Sequence, residues 1–226
     1  MLPILFRDER LVAIHKPSGL LVHRSEIDRH ETRFAVQLLR DQIGRRVYPA
    51  HRLDRGTSGV LLFALDKETA RLLGACFERQ EVAKTYLAVV RGHPPETGRI
   101  DHALSRRRDD AEWVGDRSSD EAQPAVSDFR RLATCELPHQ VDRYPTSRYA
   151  LVELTPHTGR RHQIRRHLKH LAHPIIGDAT HGKGPLNRWW AERLAQQRLW
   201  LHAWQLTVPH PATGMAMKFD SGLRWP

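Results

Sequence analysis

The chain has 226 residues, 40% of them hydrophobic, enough for one large domain or two small ones with a sizeable core. Its 36 Lys and Arg against 26 Asp and Glu give a formal charge of +10, which favours a polyanionic partner because each phosphate contact releases counterions. Two cysteines, Cys76 and Cys135, form no CxxC unit and argue against a disulfide scaffold or a cysteine zinc site. No apolar run approaches the roughly 18 residues of a membrane span, and Arg7 and Asp8 come too early for a signal-peptide core, so a cytoplasmic location is expected.

Short apolar runs alternate with turn signals, so strands dominate. Residues 11–15 read as a strand, followed by the turn Lys16-Pro17-Ser18-Gly19, and residues 32–42 as an amphipathic helix. The run GVLLFAL, 59–65, is a strongly apolar strand, and a helix over 66–80 follows with Asp66 placed to cap it. Strands are expected at 86–90, 125–134 and 148–154. A helix is expected over 159–172, opened by Gly159 and ended by His173-Pro174. Residues 199–208 and 215–219 read as late strands, residues 105–123 as a polar surface loop, and residues 188–197 as a short helix. With no repeat and no linker, the expectation is one α+β domain over 1–226, built on a large mixed, mainly antiparallel sheet.

The segment HRLDRGTSGVLLFAL places Asp54 in a polar turn before a buried strand, flanked by Arg52 and Arg55. Gly56 and Gly59 let the backbone turn and approach a ligand closely, and Thr57 and Ser58 can bond its amides. A carboxylate between guanidiniums stays ionised and is then competent as a nucleophile or base. Taken alone, the same turn is equally an Asp–Arg cap on a loop.

In KTYLAVVRG, Tyr86 opens a strand, either as a core residue or as a ring able to stack on an extruded base. The segment LTPHTGRRHQIRRHLKHLAHPIIGDATHG carries Arg160, Arg161, Arg165, Arg166 and Lys169 with no carboxylate before Asp178. That cationic helix could meet phosphates or hold Asp54 by a salt bridge. Its histidines, His162, His167, His170 and His173, include no HExxH unit, so no metal site is expected. RLWLHAWQLTVPHP, with Leu201, reads as a core strand.

Together these segments resemble the RluA-type family of pseudouridine synthases. The resemblance runs in the family's order through ILFRDERLVAIHKPSGLLVH, HRLDRGTSG, KTYLAVVRG, TGRRHQIRRHLKHLAHPIIGD and RLWLHAWQL, and covers nearly the whole chain. It implies a cofactor-free isomerisation in which the uracil–ribose C–N bond breaks and C1′ joins base C5. It implies Asp54 as nucleophile, Tyr86 stacking on the target base and assisting proton loss from C5, and Arg165 pairing with the catalytic carboxylate. Arg52 then fills the space of the flipped nucleotide, and Leu201 lines the uracil pocket. Arg55, Thr57, Arg160, Arg161, His162 and Gln163 complete the expected RNA-binding set.

Many members carry an N-terminal S4 RNA-binding domain. Here the catalytic-type sequence starts within the first ten residues, so none is expected, and RNA affinity falls to the chain's own basic face. The stretch RYPTSRYALVELTPHTGRRHQIRRHL resembles a tRNA-acting branch of the family, which implies uridine 65 of tRNA as target. A monomer is the default expectation, since no feature of the sequence encodes an oligomer. Ribosomal RNA as substrate, and a non-catalytic RNA-binding module on the same fold, are the alternatives.

Overall fold

The computed structural model describes residues 1–24, 31–105, 121–141 and 143–223. In chain order the elements are β1 (Ile4–Arg7), β2 (Leu11–Lys16), α1 (Ala35–Ile43), β3 (Tyr48–Pro49), β4 (Ser58–Ala64), α2 (Lys67–Glu78), β5 (Ala83–Arg91), β6 (Thr97–Asp101), β7 (Leu104–Ser105), β8 (Ala122–Gln123), β9 (Val126–Leu137), β10 (Ser147–Pro156), α3 (Gln163–His170), α4 (Gly184–Arg193), β11 (Leu201–Pro209) and β12 (Ala216–Asp220). Ten strands belong to one sheet, and β7 and β8 form a separate two-stranded ribbon. The fold is therefore α+β on a large sheet, as the strand-rich pattern led one to expect.

The described residues group into two compact units, one of residues 1–84 and 203–223, the other of 85–105 and 121–202. In the first, β1, β2 and β4 pair antiparallel, β3 adds to β4, and β12 pairs antiparallel with β11. β4 is buried at every residue because both of its faces are covered, which is why it reads as a continuous apolar run without alternation. Leu62 and Ala64 of β4 share a core with Leu11, Leu73, Leu206 and Phe219. The Asp66 side chain caps α2, accepting from the Thr69 N–H at 2.8 Å. Helix α1 starts at Ala35, three residues later than its pattern suggests. Phe34 is still extended and bridges Leu21, and it offers no side-chain cap.

Gly59 was expected to ease close approach of a ligand. What approaches it is main chain: its φ is +113°, and a Cβ there would lie 2.1 Å from the Ala203 carbonyl oxygen of β11. Gly59→Ala should therefore destabilise the protein by about 3 kcal/mol or more in urea unfolding. A change within about 1 kcal/mol would contradict this packing.

In the second unit β5, β10, β9 and β6 pair antiparallel in that order. Helix α3 packs on this sheet through Ile164 and Leu168, against Val90, Val152 and Leu154. Strand β6 was not anticipated; its TGRID sequence buries only Ile100 fully, so the apolar signal is weak. The expected loop at 105–123 begins and ends in the β7–β8 ribbon; residues 106–120 lie outside the described residues.

Candidate active site

Four of the expected site residues sit on one segment of the first unit, between β3 and β4. Arg52 and Arg55 are exposed, Asp54 is half-buried and Thr57 is buried, with Leu53 driven into the interior beside them. The turn closes by the Thr57 N–H donating to the Asp54 carbonyl at 3.0 Å. This bond uses the Asp54 main chain.

Two residues that sequence reasoning passed over hold this segment. His51 accepts the Leu62 N–H at its Nε2, 3.2 Å away, and stacks on Phe77 with centroids 5.0 Å apart. Burial, then the charge of Lys84, lowers its pKa to about 4, against a backbone hydrogen bond at Arg52 that favours the charged form. A neutral ring is the form that can accept from Leu62.

Lys16 is the other. It ends β2, is fully buried, and donates from Nζ to the carbonyls of Pro17 (3.0 Å), Leu20 (2.7 Å) and Arg55 (3.1 Å). Three ammonium hydrogens meet three carbonyls, so the side chain ties the turn after β2 to the turn of Asp54. The Ser18 hydroxyl donates to the Gly56 carbonyl at 2.6 Å, and the Gly19 N–H donates to the Arg55 carbonyl at 2.8 Å, joining the same two turns. Burial lowers the Lys16 pKa to about 7, with the charge of Asp54 opposing that fall. A lysine after an apolar run normally reads as a strand end reaching water, which is why it went unnoticed.

The second unit gathers the remaining residues. Gly159 does not open α3: the helix begins at Gln163, and the residue before it, His162, is left-handed at φ 55°. The competing structure is a side-chain closure. Gln163 Oε1 accepts from the Thr158 hydroxyl (2.7 Å) and the Arg160 N–H (3.0 Å), while its Nε2 donates to the Val126 carbonyl (3.0 Å) and the Ser127 hydroxyl (2.9 Å). Arg160, Arg161 and His162 consequently lie on a turn before the helix. Gln163 is buried, with its amide fully engaged inside the unit. Arg160 donates to the Pro124 carbonyl, and Arg166 to Ser105, holding both ends of the β7–β8 ribbon. His162 Nδ1 lies 3.2 Å from His181 Nε2.

Arg165 is buried, and its Nε and Nη2 donate to the two carboxylate oxygens of Asp178 at 2.7 and 2.8 Å. Burial pushes the Asp178 carboxyl up, but the hydrogen bond and charge of Arg165 and the N–H groups of His181 and Thr180 bring it below its ordinary value. Asp178 was seen in sequence only as the first acid after the cationic run; a separation of thirteen residues hides a bidentate pair. Tyr86 is half-buried on β5, opposite Leu154 of β10 and packed on the core that also contains Leu201, itself 3% exposed. Asp54 and Arg52 thus belong to the first unit, Tyr86, Arg165 and Leu201 to the second. Among the described residues no group of three or more His, Cys, Asp or Glu could hold a metal ion, and no helix is long and apolar enough to cross a membrane.

Known proteins resemble this chain over nearly its whole length. Residues 10–170 match the RNA pseudouridylate synthase family model. The chain is 51% identical over 222 residues to tRNA pseudouridine synthase C of Pasteurella multocida, covering 98% of this chain and 91% of that protein. It is 49% identical over 225 residues to the protein of the same name from Yersinia pestis, covering 100% and 87%. Among solved structures, human RNA Pseudouridylate Synthase Domain Containing 4 superposes with a TM-score of 0.69 at 30% identity, over 98% of this chain and 88% of that one. Human RNA Pseudouridylate Synthase Domain Containing 1 does so with 0.73 at 27%, over 97% and 82%. The chain belongs to the RNA pseudouridylate synthase family, and is a pseudouridine synthase.

Proposed function

We propose that this protein isomerises a uridine of tRNA, uridine 65, to pseudouridine, with Asp54 as nucleophile and the target base flipped out of its helix. The observation that carries the substrate is near-full-length likeness, at about half of all residues, to relatives named for tRNA. In this reading the C1′–N1 bond breaks and C1′ bonds to C5; the C5 proton is lost and N1 gains one. The reaction neither hydrolyses nor changes oxidation state, so its balance requires no cofactor.

The half-buried Asp54 suits the role, on a turn fixed by Lys16 and His51. Extruding a base costs a few kcal/mol, and stacking on an aromatic ring returns about 1–3 kcal/mol. Tyr86 supplies that ring, Arg52 fills the vacated stack, Arg165 serves the carboxylate and Leu201 lines the uracil pocket. Exposed Arg55 and Arg160, with Arg161 and His162, meet the RNA backbone. Buried Thr57 and Gln163 act through the turns they close. Residues 1–226 act as one catalytic domain of a cytoplasmic monomer.

The test is pseudouridine mapping of tRNA and ribosomal RNA from cells with and without the gene. One tRNA site should disappear from the deletion strain. Loss of a ribosomal site with tRNA unchanged would overturn the substrate assignment, and purified protein that binds tRNA without turnover would overturn the enzymatic one.

A further inference from the structure

The grip on Arg165 is itself gripped. Asp178 is 1% exposed; its Oδ2 accepts Arg165 Nε, and its Oδ1 accepts Arg165 Nη2 together with the N–H groups of Thr180 (3.0 Å) and His181 (2.9 Å). The carboxylate is thereby held in one plane by the turn that follows it. The main chain at Asp178 is pinned as well. Asn187 of α4 accepts the Gly177 N–H at its Oδ1 (2.8 Å) and donates from Nδ2 to the Asp178 carbonyl (2.9 Å), which also accepts the Gly182 N–H at 2.9 Å. Gly177 sits at φ +78° where a Cβ would lie 1.7 Å from the Arg198 carbonyl oxygen, so the turn packs against main chain at a position only glycine fits. Leu186 seats α4 in a small core with Tyr149 and Ile176.

Stability alone is a poor reason for such a pair. Well-packed apolar residues in place of a buried ion pair are often as stable or more so, because two charges must be stripped of water. What a bidentate carboxylate supplies that an apolar residue does not is orientation: it fixes the plane and the direction of a guanidinium. Asp178 occupies only the Nε–Nη2 edge of Arg165, and that edge determines where the Nη1 end is aimed.

We propose that Asp178 is a positioning residue of the synthase reaction, aiming the Arg165 guanidinium, and that Asn187 makes helix α4 the support for Asp178. This rests on the reading above in which Arg165 serves the site. It gives helix α4 a task in the reaction through a chain of contacts, Asn187 to Asp178 to Arg165.

Asp178→Asn keeps shape but turns an N–H donor toward an arginine donor, which breaks the fork. With tRNA from a deletion strain as substrate, the folded variant should lose about 10²-fold in kcat, the scale of a reactive group displaced by about 1 Å, with KM within about threefold. Asp178→Glu should recover part of the loss. The double variant with Arg165→Lys should be no slower than Arg165→Lys alone, because both changes remove the same aim; a general weakening of the fold would add instead. Thermal unfolding monitored by circular dichroism establishes that each variant is folded. If Asp178→Asn is not, Asn187→Ala, which leaves the ion pair in place, should still lower kcat about tenfold at unchanged KM. Full kcat in a folded Asp178→Asn, additive loss with Arg165→Lys, or unchanged kcat in Asn187→Ala overturns this inference alone. Wild-type protein without synthase activity overturns the proposed function and this inference with it.

Discussion

Asp54→Asn is expected to remove pseudouridine formation by at least about 10⁴-fold, the range seen when an enzyme loses its nucleophile, while tRNA affinity stays within about threefold. The reasoning is local. The turn closes through the Asp54 carbonyl, and Lys16, Ser18 and Gly19 tie it to the turn after β2, so an isosteric amide keeps these main-chain closures. Phosphate contacts dominate nucleic-acid affinity, and exchanging a carboxylate for an amide removes no cation that could make them. A second readout comes from Lys16, whose pKa the Asp54 charge raises. Removing that charge lets Lys16 lose its proton at lower pH. Single-turnover rates with saturating tRNA decide the first claim; a variant retaining a tenth of wild-type rate would rule Asp54 out as the nucleophile.

Lys16→Met is the second large effect. The thioether fills much of the volume but donates nothing, leaving the carbonyls of Pro17 and Leu20 without this partner at about 1–3 kcal/mol each when buried. Against that, the variant no longer buries an amine, so the net loss of stability is smaller than the sum. Activity should suffer more, by about 10²-fold in kcat, because the two turns at Asp54 lose the buried one of the side-chain ties that join them.

The pH dependence has a definite sign. The folded-state pKa of about 7 lies below the ordinary 10.5, so between these values the unfolded chain holds a proton that the folded one lacks. The Lys16 contribution to stability therefore rises with pH across that window and is flat below it. Urea midpoints from pH 6 to 10 should show this rise in wild type and a shallower one in Lys16→Met. In Asp54→Asn the rise should begin at lower pH. Identical slopes in all three proteins would mean that Lys16 titrates as an ordinary surface lysine.

Elements with strong local signals were legible in the sequence. β4 announces itself by an unbroken apolar run, and α2 by its Asp66 cap. The start of α3 was not, because Gln163 folds its amide back onto Thr158 and Arg160, a closure with no periodic signature that displaces the helix start from Gly159. Arg188-Trp189-Trp190 marked α4, but its start at Gly184 and Pro185 resembles a loop until Leu186 is seen to be buried. Site residues divide along the same line. Asp54, Arg52 and Arg55 are visible because charge and glycine cluster within six residues. Lys16 and Asp178 escape because their partners are main-chain carbonyls or lie thirteen residues away, and burial, the property that makes them matter, is not written in residue type.

The seven buried residues of β4 have a kinetic consequence. Amides in a strand covered on both faces reach water only when the molecule unfolds globally, so they should be the last to exchange their hydrogens. The Asp54 turn, closed by the Thr57 N–H, leads directly into that strand. The main-chain entropy of that turn is then spent as the chain folds, before any RNA arrives.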